Sequence, residues 1–408
     1  MRILHTSDWH LGKYLENYSR LDEQEKFIND LVEIVNEKEV DLIIIAGDIY
    51  DNGNPPARAE KLFYDALKRL SNNGERIVLV IAGNHDSPER LIAANSLATE
   101  QGIILLGKPN STVETGIVGK HKVINSCEGC LELEIKGEKI VIITLPYPSE
   151  QRLNEVLGDM LDENEMQKSY SNKVGKIFEN LSKYFRDDTI NIAVSHIFVA
   201  GGDTSDSERP IQLGGGLTVD IDKLPFKAQY VALGHLHKPQ KVKSEKIRAY
   251  YSGSPIQYSR SEIGYSKCVY VIDVKPKQEP NIEEVYLKNY KPIEIWKVNG
   301  IEEAIKKCEE NKDREVWAYL EIVTDKVISK SEIREIKKIK PDILSIIPVI
   351  KDKAEVIEEF EDYSERNIVE LFTEFYIREK NVEPSEDLIK LFTKIIYEEG
   401  DEGETYSS

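Results

Sequence analysis

The sequence predicts an α/β protein, and two features of its 408 residues support that prediction. First, short apolar strands alternate with helices over the first third of the chain, a pattern typical of sheets covered by helices. Second, polar clusters follow the predicted strands, at the position where open α/β sheets build their sites. At about 150 residues per domain, the length allows two or three domains.

The first third of the chain is predicted to contain three strands and three helices in alternation. The strands are the apolar segments Met1–Thr6, Asp41–Ala46 and Arg76–Ala82. Helices are predicted over Leu21–Lys38, where apolar residues recur every three or four positions, and over Ala57–Leu70. A third helix is expected to begin at Ser87 and Pro88, because serine favours the N-cap and proline the first helical position.

The middle of the chain is predicted to be richer in strands. The apolar segments that indicate them are Ile140–Leu145, Asn191–Ser195, Tyr230–Leu233 and Cys268–Val274. Between the first two of these, Gln151–Phe185 is predicted to be mostly helical. The first domain is expected to end near Pro276–Pro280, where a run of proline, lysine and glutamate breaks the apolar pattern.

A small α+β unit is predicted over residues 290–350, followed by helices over 351–408. The elements of the small unit are a helix at Ile301–Asn311, a strand at Glu315–Val323, a helix at Lys330–Lys340 and a strand at Ile343–Ile350. In the last segment, two helically spaced apolar stretches are separated by a break at Asn381–Pro384, and Ser385 suits the N-cap of the second. A polar tail follows Gly400.

The formal net charge of −19 is concentrated at the end of the chain. Residues 351–408 contain 18 acidic and 7 basic residues, a net of −11, which leaves −8 for the other 350 residues. Net charge therefore does not exclude a nucleic-acid substrate at a site elsewhere in the chain. The sequence has no apolar run of 18 residues and no signal-peptide pattern, and its four cysteines are too few for a disulfide framework. These features favour a cytoplasmic protein.

Five short polar clusters follow predicted strands and contain five of the seven histidines. The clusters are Asp8-Trp9-His10, Gly47-Asp48, Gly83-Asn84-His85-Asp86, Ser195-His196 and Gly234-His235-Leu236-His237. Together they offer imidazole nitrogens, carboxylates and one amide oxygen, without a thiolate. This donor set suits Mn, Fe or Zn at a catalytic site better than a structural zinc site.

The number of candidate ligands predicts two metal ions, because seven are too many for one ion. Two ions roughly 3.5–4 Å apart are typical of phosphate-ester hydrolysis. A single histidine after a strand is more often a core or surface residue, and a single Gly-Asp is more often a turn. Five such clusters, each at a strand end, favour the metal site over coincidence.

The order of the clusters resembles the calcineurin-like metallophosphoesterase superfamily. The segments MRILHTSDWHLGK, AGDIYDNGNPP, AGNHDS, ALGHLHKPQ and YSGSPIQYS are similar, within it, to bacterial nuclease subunits that work with an SMC-like ATPase. The motifs span residues 1–260. The resemblance implies a two-sheet metallophosphoesterase core flanked by helices over 1–280, a small capping domain over 281–350, and partner-binding helices with an acidic tail over 351–408.

The resemblance also implies a role for each cluster residue. One ion would be held by Asp8, His10, Asp48 and His237, and the other by Asp48, Asn84, His196 and His235. Asp48 would bridge the two ions, and His85 would lie beside the scissile phosphate and assist the leaving oxygen. Asp51 stands where archaeal and eukaryotic relatives carry a second active-site histidine, and it receives no role here.

The function implied is that of a Mn-dependent DNA nuclease subunit in DNA repair, replication and recombination. It would act as a 3′→5′ exonuclease on double-stranded DNA and as an endonuclease on single-stranded and hairpin DNA. It would form a homodimer within a heterotetramer that includes the SMC-like ATPase. Lys13, Tyr14, Tyr18 and Arg20 interleave basic and aromatic side chains and are candidates for DNA contact, a solvated loop being the alternative.

Two alternative functions remain open at the level of sequence. One is a general two-metal phosphoesterase that acts on nucleotides or other small phosphate esters. The other is a scaffold that uses a degenerate phosphoesterase fold only to bind its partner, although such a protein is expected to have lost metal ligands.

Several other residues are expected to have structural roles. Cys127 and Cys130 are predicted to flank a tight turn as free thiols, since no second cysteine pair of zinc-site spacing follows. His5 is expected within the first strand and His121 in a basic loop. Gly214–Gly216 lacks the lysine and hydroxyl residue of a P-loop and is interpreted as a loop near the site.

Overall fold

The computed structural model describes residues 1–157, 170–208 and 217–349, together with scattered positions between 372 and 392. The predicted loop at Gly214–Gly216 lies outside the described residues. By contacts, Met1–Ile211 and Gly216–Val349 form one unit, and the segment from Ile350 onward belongs to a second. Within the described residues, no helix is long and apolar enough to cross a membrane.

The first sheet of the larger unit has six strands, of which the four at one side are parallel. In spatial order the strands are Asn281–Tyr286, Cys268–Asp273, Arg2–Thr6, Leu42–Ala46, Ile77–Ile81 and Ile103–Leu106. The three strands predicted for the first third are confirmed. Because they run parallel, their carboxyl ends meet at one edge of the sheet.

The second sheet has eight strands, and its second to fifth strands are also parallel. In spatial order they are Gln240–Lys241, Ala249–Tyr251, Tyr230–Gly234, Ile190–His196, Glu138–Leu145, Cys130–Ile135, His121–Cys127 and Gly116–Val118. The last three strands form an antiparallel meander that was not predicted from the sequence. Their charged residues alternate with apolar ones, so no continuous apolar run marks them.

The two sheets pack face to face between outer helices, which confirms the predicted layered α/β core. Apolar side chains from both sheets, including Ile44 and Ile192, form a shared buried cluster. The opposite faces of the sheets pack against helices. The helices are Leu21–Glu37 and Ala57–Ser71 on the six-stranded sheet, and Glu150–Leu157 and Tyr170–Leu181 on the eight-stranded sheet.

Shorter elements connect these layers. They are the helices Pro88–Ile92 and Asn95–Glu100, the 3₁₀ turns Ser182–Tyr184, Ile221–Lys223 and Arg260–Glu262, and the strand pairs Tyr14–Leu15 with Tyr18–Ser19 and Phe198–Val199 with Thr218–Val219. Ser87 caps the first of these helices by accepting a hydrogen bond from the Arg90 amide, as predicted. The predicted helical region Gln151–Phe185 contains two described helices, and residues 158–169 lie outside the description.

The capping unit is a three-stranded parallel sheet with two helices. Its strands are Ile293–Asn299, Trp317–Val323 and Ile343–Val349, and its helices are Gly300–Glu310 and Lys330–Ile339. The first strand was not predicted. The strand Asn281–Tyr286 pairs with Cys268–Asp273 in the core, so the core extends six residues past the predicted boundary at 280. That edge strand is mostly exposed and polar, which hid it from the apolar pattern.

Few residues of the second unit are described, and they agree with one prediction made for it. The amide of Leu388 donates to Ser385 Oγ at 3.3 Å, as expected for a serine N-cap. The rings of Phe372 and Phe392 stack with centroids 3.8 Å apart, which joins the two predicted apolar stretches. Most of the predicted partner-binding segment 351–408 lies outside the described residues.

Cys127, Cys130 and His5 have the structural roles expected from the sequence, and His121 differs only in lying in a strand. Cys127 and Cys130 are unpaired thiols at the two ends of a two-residue hairpin turn. His5 is buried between the sheets, with Nδ1 2.9 Å from the Tyr230 hydroxyl. His121 begins a strand rather than lying in a loop, and its Nε2 is 3.0 Å from the carbonyl oxygen of Glu75.

Candidate metal centre

The five polar clusters converge where the carboxyl ends of the two sheets meet. His196 Nδ1, at the end of a strand of the eight-stranded sheet, is 2.8 Å from the carbonyl oxygen of Ala46, which ends a strand of the six-stranded sheet. Across the same gap, the amide of His235 donates to Asp8 Oδ1 at 2.9 Å. Residues far apart in sequence are therefore brought together by the parallel topology of both sheets.

Four of the candidate ligands have positive backbone φ angles, which residues other than glycine rarely adopt. The φ angles are +53° at Asp8, +44° at His10, +51° at Asp48 and +106° at His235. Each such backbone conformation lowers the stability of the folded state by about 1–3 kcal/mol, and it persists where contacts with the surrounding structure hold it. Here the amides of Asp8 and His10 each donate at 3.0 Å to the turn that carries Asp48.

Glycines allow the strand ends to approach this closely. A Cβ atom at Gly83 would lie 2.1 Å from Asp48 Oδ1 and 2.3 Å from the Asp48 amide. A Cβ atom at Gly234 would lie 1.9 Å from the carbonyl oxygen of Ala46. These are hard contacts with backbone and with a buried carboxylate, so the Gly residues in the motifs are required by space.

Asp8, His10 and His237 form one group of metal-ligand type. All three are buried, and their potential ligand atoms lie within 4.8 Å of one another. Nε2 of His10 is 3.0 Å from Nε2 of His237. Nδ1 of His10 is buried and, among the described atoms, has no hydrogen-bond partner. The close approach of one buried carboxylate and two buried imidazoles fits a site built to hold a cation.

Asp48 lies at the centre of the cluster. Its Oδ2 is 3.3 Å from His196 Nε2, 3.6 Å from His10 Nε2 and 4.0 Å from His85 Nε2. Its Oδ1 accepts the amide of His85 at 2.9 Å. One carboxylate oxygen therefore faces imidazoles from both halves of the cluster, as a bridging ligand would.

Asn84, His196 and His235 complete the other half. Asn84 Oδ1 is 3.0 Å from His196 Nε2 and 3.1 Å from His235 Nδ1. Because the carbonyl oxygen of Ala46 only accepts, His196 Nδ1 carries the proton that it shares with Ala46. His196 Nε2 is then the nitrogen that a cation would take, and it faces Asn84 and Asp48. Burial lowers the pKa of His196, but the nearby carboxylate of Asp48 outweighs burial and raises that pKa to about 9.

Burial controls the charge of this cluster. Burial lowers the pKa of His10 well below its usual range and that of His235 to about 3, so both imidazoles are neutral, as metal ligands must be. Burial raises the pKa of Asp8 to about 6. Burial alone would also raise the pKa of Asp48, but the neighbouring imidazoles, His196 first, hold it well below its usual range.

His85 is held differently from the ligand groups. Its Nδ1 is 2.6 Å from the backbone carbonyl oxygen of Asp51, so Nδ1 carries a proton and Nε2 is directed towards Asp48. The carboxylate of Asp51 accepts Lys13 Nζ at 2.8 Å and lies 3.8 Å from His10 Nδ1. Asp51, to which the sequence assigned no role, therefore contributes its main chain to His85 and its side chain to Lys13.

Two further residues support the site and were missed as functional residues. The buried carboxylate of Asp86 accepts the amides of Ile49, Tyr50 and Gly83, which ties the second motif to the third. The hydroxyl of Ser7 donates to Asp8 Oδ2 at 2.5 Å. The position of Asp86 at the end of the Gly-Asn-His-Asp motif is the sequence signal that could have identified it.

The proposed DNA contacts need correction. Arg20 is only 1% exposed, and its guanidinium forms a two-pronged ion pair with Glu23 and donates to the carbonyl oxygen of Gln257. The hydroxyl of Tyr18 donates to the carbonyl oxygen of Pro341, and its ring packs on Trp317 of the capping unit. The side chain of Arg20 is therefore enclosed, and that of the half-buried Tyr18 is engaged by the capping unit.

Lys13 and Tyr14 remain beside the centre. Nζ of Lys13 is held by Asp51 at 2.8 Å, close to the metal-ligand cluster. Tyr14 is 58% exposed, so its ring is available to a substrate. Lys13 and Tyr14 therefore remain candidates for contact with DNA.

Comparison with known proteins defines the class. Residues 1–239 match the calcineurin-like phosphoesterase family, which agrees with the two-sheet fold and the clustered N and O donors. The fold and site are those of a calcineurin-like metallophosphoesterase. Residues 289–380 match the family described as the type 5 capsule protein repressor C-terminal domain.

Two full-length relatives narrow this class. The SbcD subunit of the SbcCD nuclease from Bacillus subtilis (strain 168) is 43% identical over 397 residues, covering 97% of each chain. The protein of the same name from Staphylococcus epidermidis is 28% identical over 374 residues, covering 91% of this chain and 92% of the relative. The chain belongs to the SbcD family of nuclease subunits.

Gly83→Ala tests the close packing at the centre. The added methyl group would displace Asp48, so binding of Mn²⁺ should weaken by about 10–100-fold, the usual effect of disturbing residues that orient ligands. Calorimetric titration of the metal-stripped protein measures this. Gly53→Ala is the matched control, because its Cβ would meet only Ser87 at 3.6 Å. Wild-type Mn²⁺ affinity in Gly83→Ala would contradict the proposed position of Asp48.

Proposed function

We propose that this chain is a DNA nuclease subunit that hydrolyses phosphodiesters with two divalent cations, most simply Mn²⁺. The observation that supports this most is the position of Asp48 Oδ2, within 3.6 Å of imidazoles from both halves of the cluster. The proposed ligands of one cation are Asp8, His10, Asp48 and His237. Those of the other are Asp48, Asn84, His196 and His235.

The ions, when bound, supply Lewis-acid activation of water and of the phosphodiester. The protein holds the metal-ligand side chains in position. Asp48 and Asp8 are fixed by the backbone amides of His85 and His235, so the carboxylates do not have to reorganise when substrate binds. The motif loops also bury the cluster, which strengthens its electrostatic interactions with a phosphate.

His85 is proposed to deliver a proton to the leaving oxygen. Its Nδ1 proton is used by the carbonyl oxygen of Asp51, so Nε2 is the nitrogen that would carry and release the second proton. The same carbonyl stabilises the protonated ring between turnovers. His85 is thus a catalytic residue that contacts Asp48 through its main chain and substrate through its side chain.

DNA is the proposed substrate class, because the relatives that cover almost the whole chain are named as nuclease subunits. The expected actions are 3′→5′ exonuclease cleavage of double-stranded DNA and endonuclease cleavage of single-stranded and hairpin DNA, in DNA repair, replication and recombination. Lys13 and Tyr14 are the proposed DNA contacts. The alternative, hydrolysis of nucleotides or other small phosphate esters, is not favoured by these relatives.

The proposed partner is an SbcC-like ATPase of the SMC family, because the relatives are named as subunits of SbcCD. We propose that residues 351–408 contact it, since their net charge of −11 suits a basic protein surface better than DNA. A homodimer of this chain within a heterotetramer is the proposed assembly. All four cysteines are unpaired, which fits the proposed cytoplasmic location.

His85→Gln tests the nuclease proposal. Turnover of end-labelled duplex and hairpin DNA with Mn²⁺, measured with and without the partner, should fall by ~10²–10⁴, the usual contribution of positioned acid–base catalysis. Bound Mn²⁺ should be unchanged. His121→Gln, remote from the centre, is the control and should be fully active. Loss of bound Mn²⁺ in His85→Gln would make His85 a ligand, and wild-type turnover would remove its role.

Truncation after Ile350 tests the proposed partner contact. The shortened chain should still hydrolyse a small phosphodiester with Mn²⁺, because every proposed ligand lies before residue 238. It should no longer co-purify with the ATPase or show ATP-stimulated degradation of duplex DNA. A stable complex with the truncated chain would place the main contact elsewhere. Loss of small-substrate hydrolysis would show that the segment packs on the rest of the chain instead.

A further inference from the structure

A buried ion pair lies behind His237 and takes no part in the proposed ligand set. It joins Lys267 Nζ to the carboxylate of Glu262. Glu262 is 0% exposed and Lys267 is 6% exposed. Burying such a pair rarely adds stability over apolar residues of similar size, because both charges lose their hydration. A pair of this kind beside a candidate ligand calls for a role other than stability.

Lys267 and the Ser-Gly-Ser-Pro segment hold the main chain of His237. Nζ of Lys267 donates to the carbonyl oxygen of His237 at 2.8 Å and to Ser254 Oγ at 2.8 Å. The amide of Ser254 donates to the same carbonyl oxygen at 3.1 Å. A Cβ atom at Gly253 would lie 2.5 Å from that oxygen, so glycine is required there. The position of His237 is therefore fixed from its backbone side.

Glu262 and Ser207 hold the imidazole of His237. Ser207 Oγ is 2.6 Å from His237 Nδ1, and the same hydroxyl bonds to Glu262 Oε1. Glu262 Oε1 itself lies 3.5 Å from His237 Nδ1. An ionised carboxylate only accepts, so Ser207 gives it the hydroxyl proton and must accept from His237.

This relay selects one tautomer of His237. Because Ser207 accepts, Nδ1 carries the ring proton and Nε2 carries the lone pair. Nε2 is the nitrogen that lies 3.0 Å from His10 Nε2, inside the group formed with Asp8. Carboxylates that orient metal-bound histidines in this way raise the basicity of the ligand and fix its ring.

We propose that Glu262, acting through Ser207, and Lys267 are positioning residues that set His237 for the cation held with Asp8 and His10. The inference rests on the ligand set of the proposed function. It assigns a purpose to the Ser-Gly-Ser-Pro segment and to Ser207, neither of which supplies a ligand. The other cation, held by Asn84, His196 and His235, should not depend on this relay.

Titration of Mn²⁺ into the metal-stripped full-length protein tests the proposal, with electron paramagnetic resonance to distinguish coupled from isolated ions. The wild type should bind two ions. Glu262→Gln should keep one site and weaken the other by about 10–100-fold, giving the spectrum of an isolated ion at limiting Mn²⁺. Ser207→Ala, at a half-buried loop position, should weaken the same site.

Glu132→Gln is the matched control, because Glu132 is a buried carboxylate that pairs with a basic side chain, Arg186, and belongs to none of the metal-ligand groups. It should bind two ions with wild-type affinity. Two wild-type sites in Ser207→Ala, or in a folded Glu262→Gln, would overturn the positioning role while leaving the proposed function intact. Absence of any bound Mn²⁺ in the wild type would instead overturn the proposed function and this inference with it.

Discussion

The convergence of buried carboxylates and imidazoles on Asp48 is the constraint on which the rest of this structure depends. Most of the cluster is buried, so its polar atoms need partners from the protein or from a bound cation. The fold meets that need by bringing the carboxyl ends of two parallel sheets together. One sheet contributes Asp8, Asp48 and Asn84, and the other contributes the histidines that face them.

This requirement accounts for the unfavourable local features around the centre. Left-handed backbone at Asp8 and Asp48 is tolerated because neighbouring turns bond to their amides and carbonyl oxygens. Gly83 and Gly234 are needed because any side chain would meet Asp48 or the backbone of Ala46. Asp86 then locks the loops with three amide contacts. These features lower the local stability of the fold, and they keep the site organised before substrate binds.

Sequence patterns were sufficient where one short segment determines its own structure. The apolar runs before Asp8 and Asp48 predicted buried strands, and Ser87 with Pro88 predicted a helix start. Sequence patterns failed where residues far away along the chain determine the surroundings of a side chain. Arg20 looks like a DNA contact from its neighbours along the chain, yet Gln257 and the capping unit enclose it. The strand Asn281–Tyr286 was missed because its exposed position at a sheet edge leaves no apolar run. The Glu262–Lys267 pair was missed because its partner, His237, lies 25 or more residues away along the chain.

The most direct test of this account is to locate bound Mn²⁺ by anomalous diffraction from crystals of the full chain. Two anomalous peaks should flank Asp48 Oδ2, one within reach of Asp8, His10 and His237 and the other within reach of Asn84, His196 and His235. A single peak, or peaks that do not share Asp48, would contradict the claim that this carboxylate joins two metal sites in one catalytic centre.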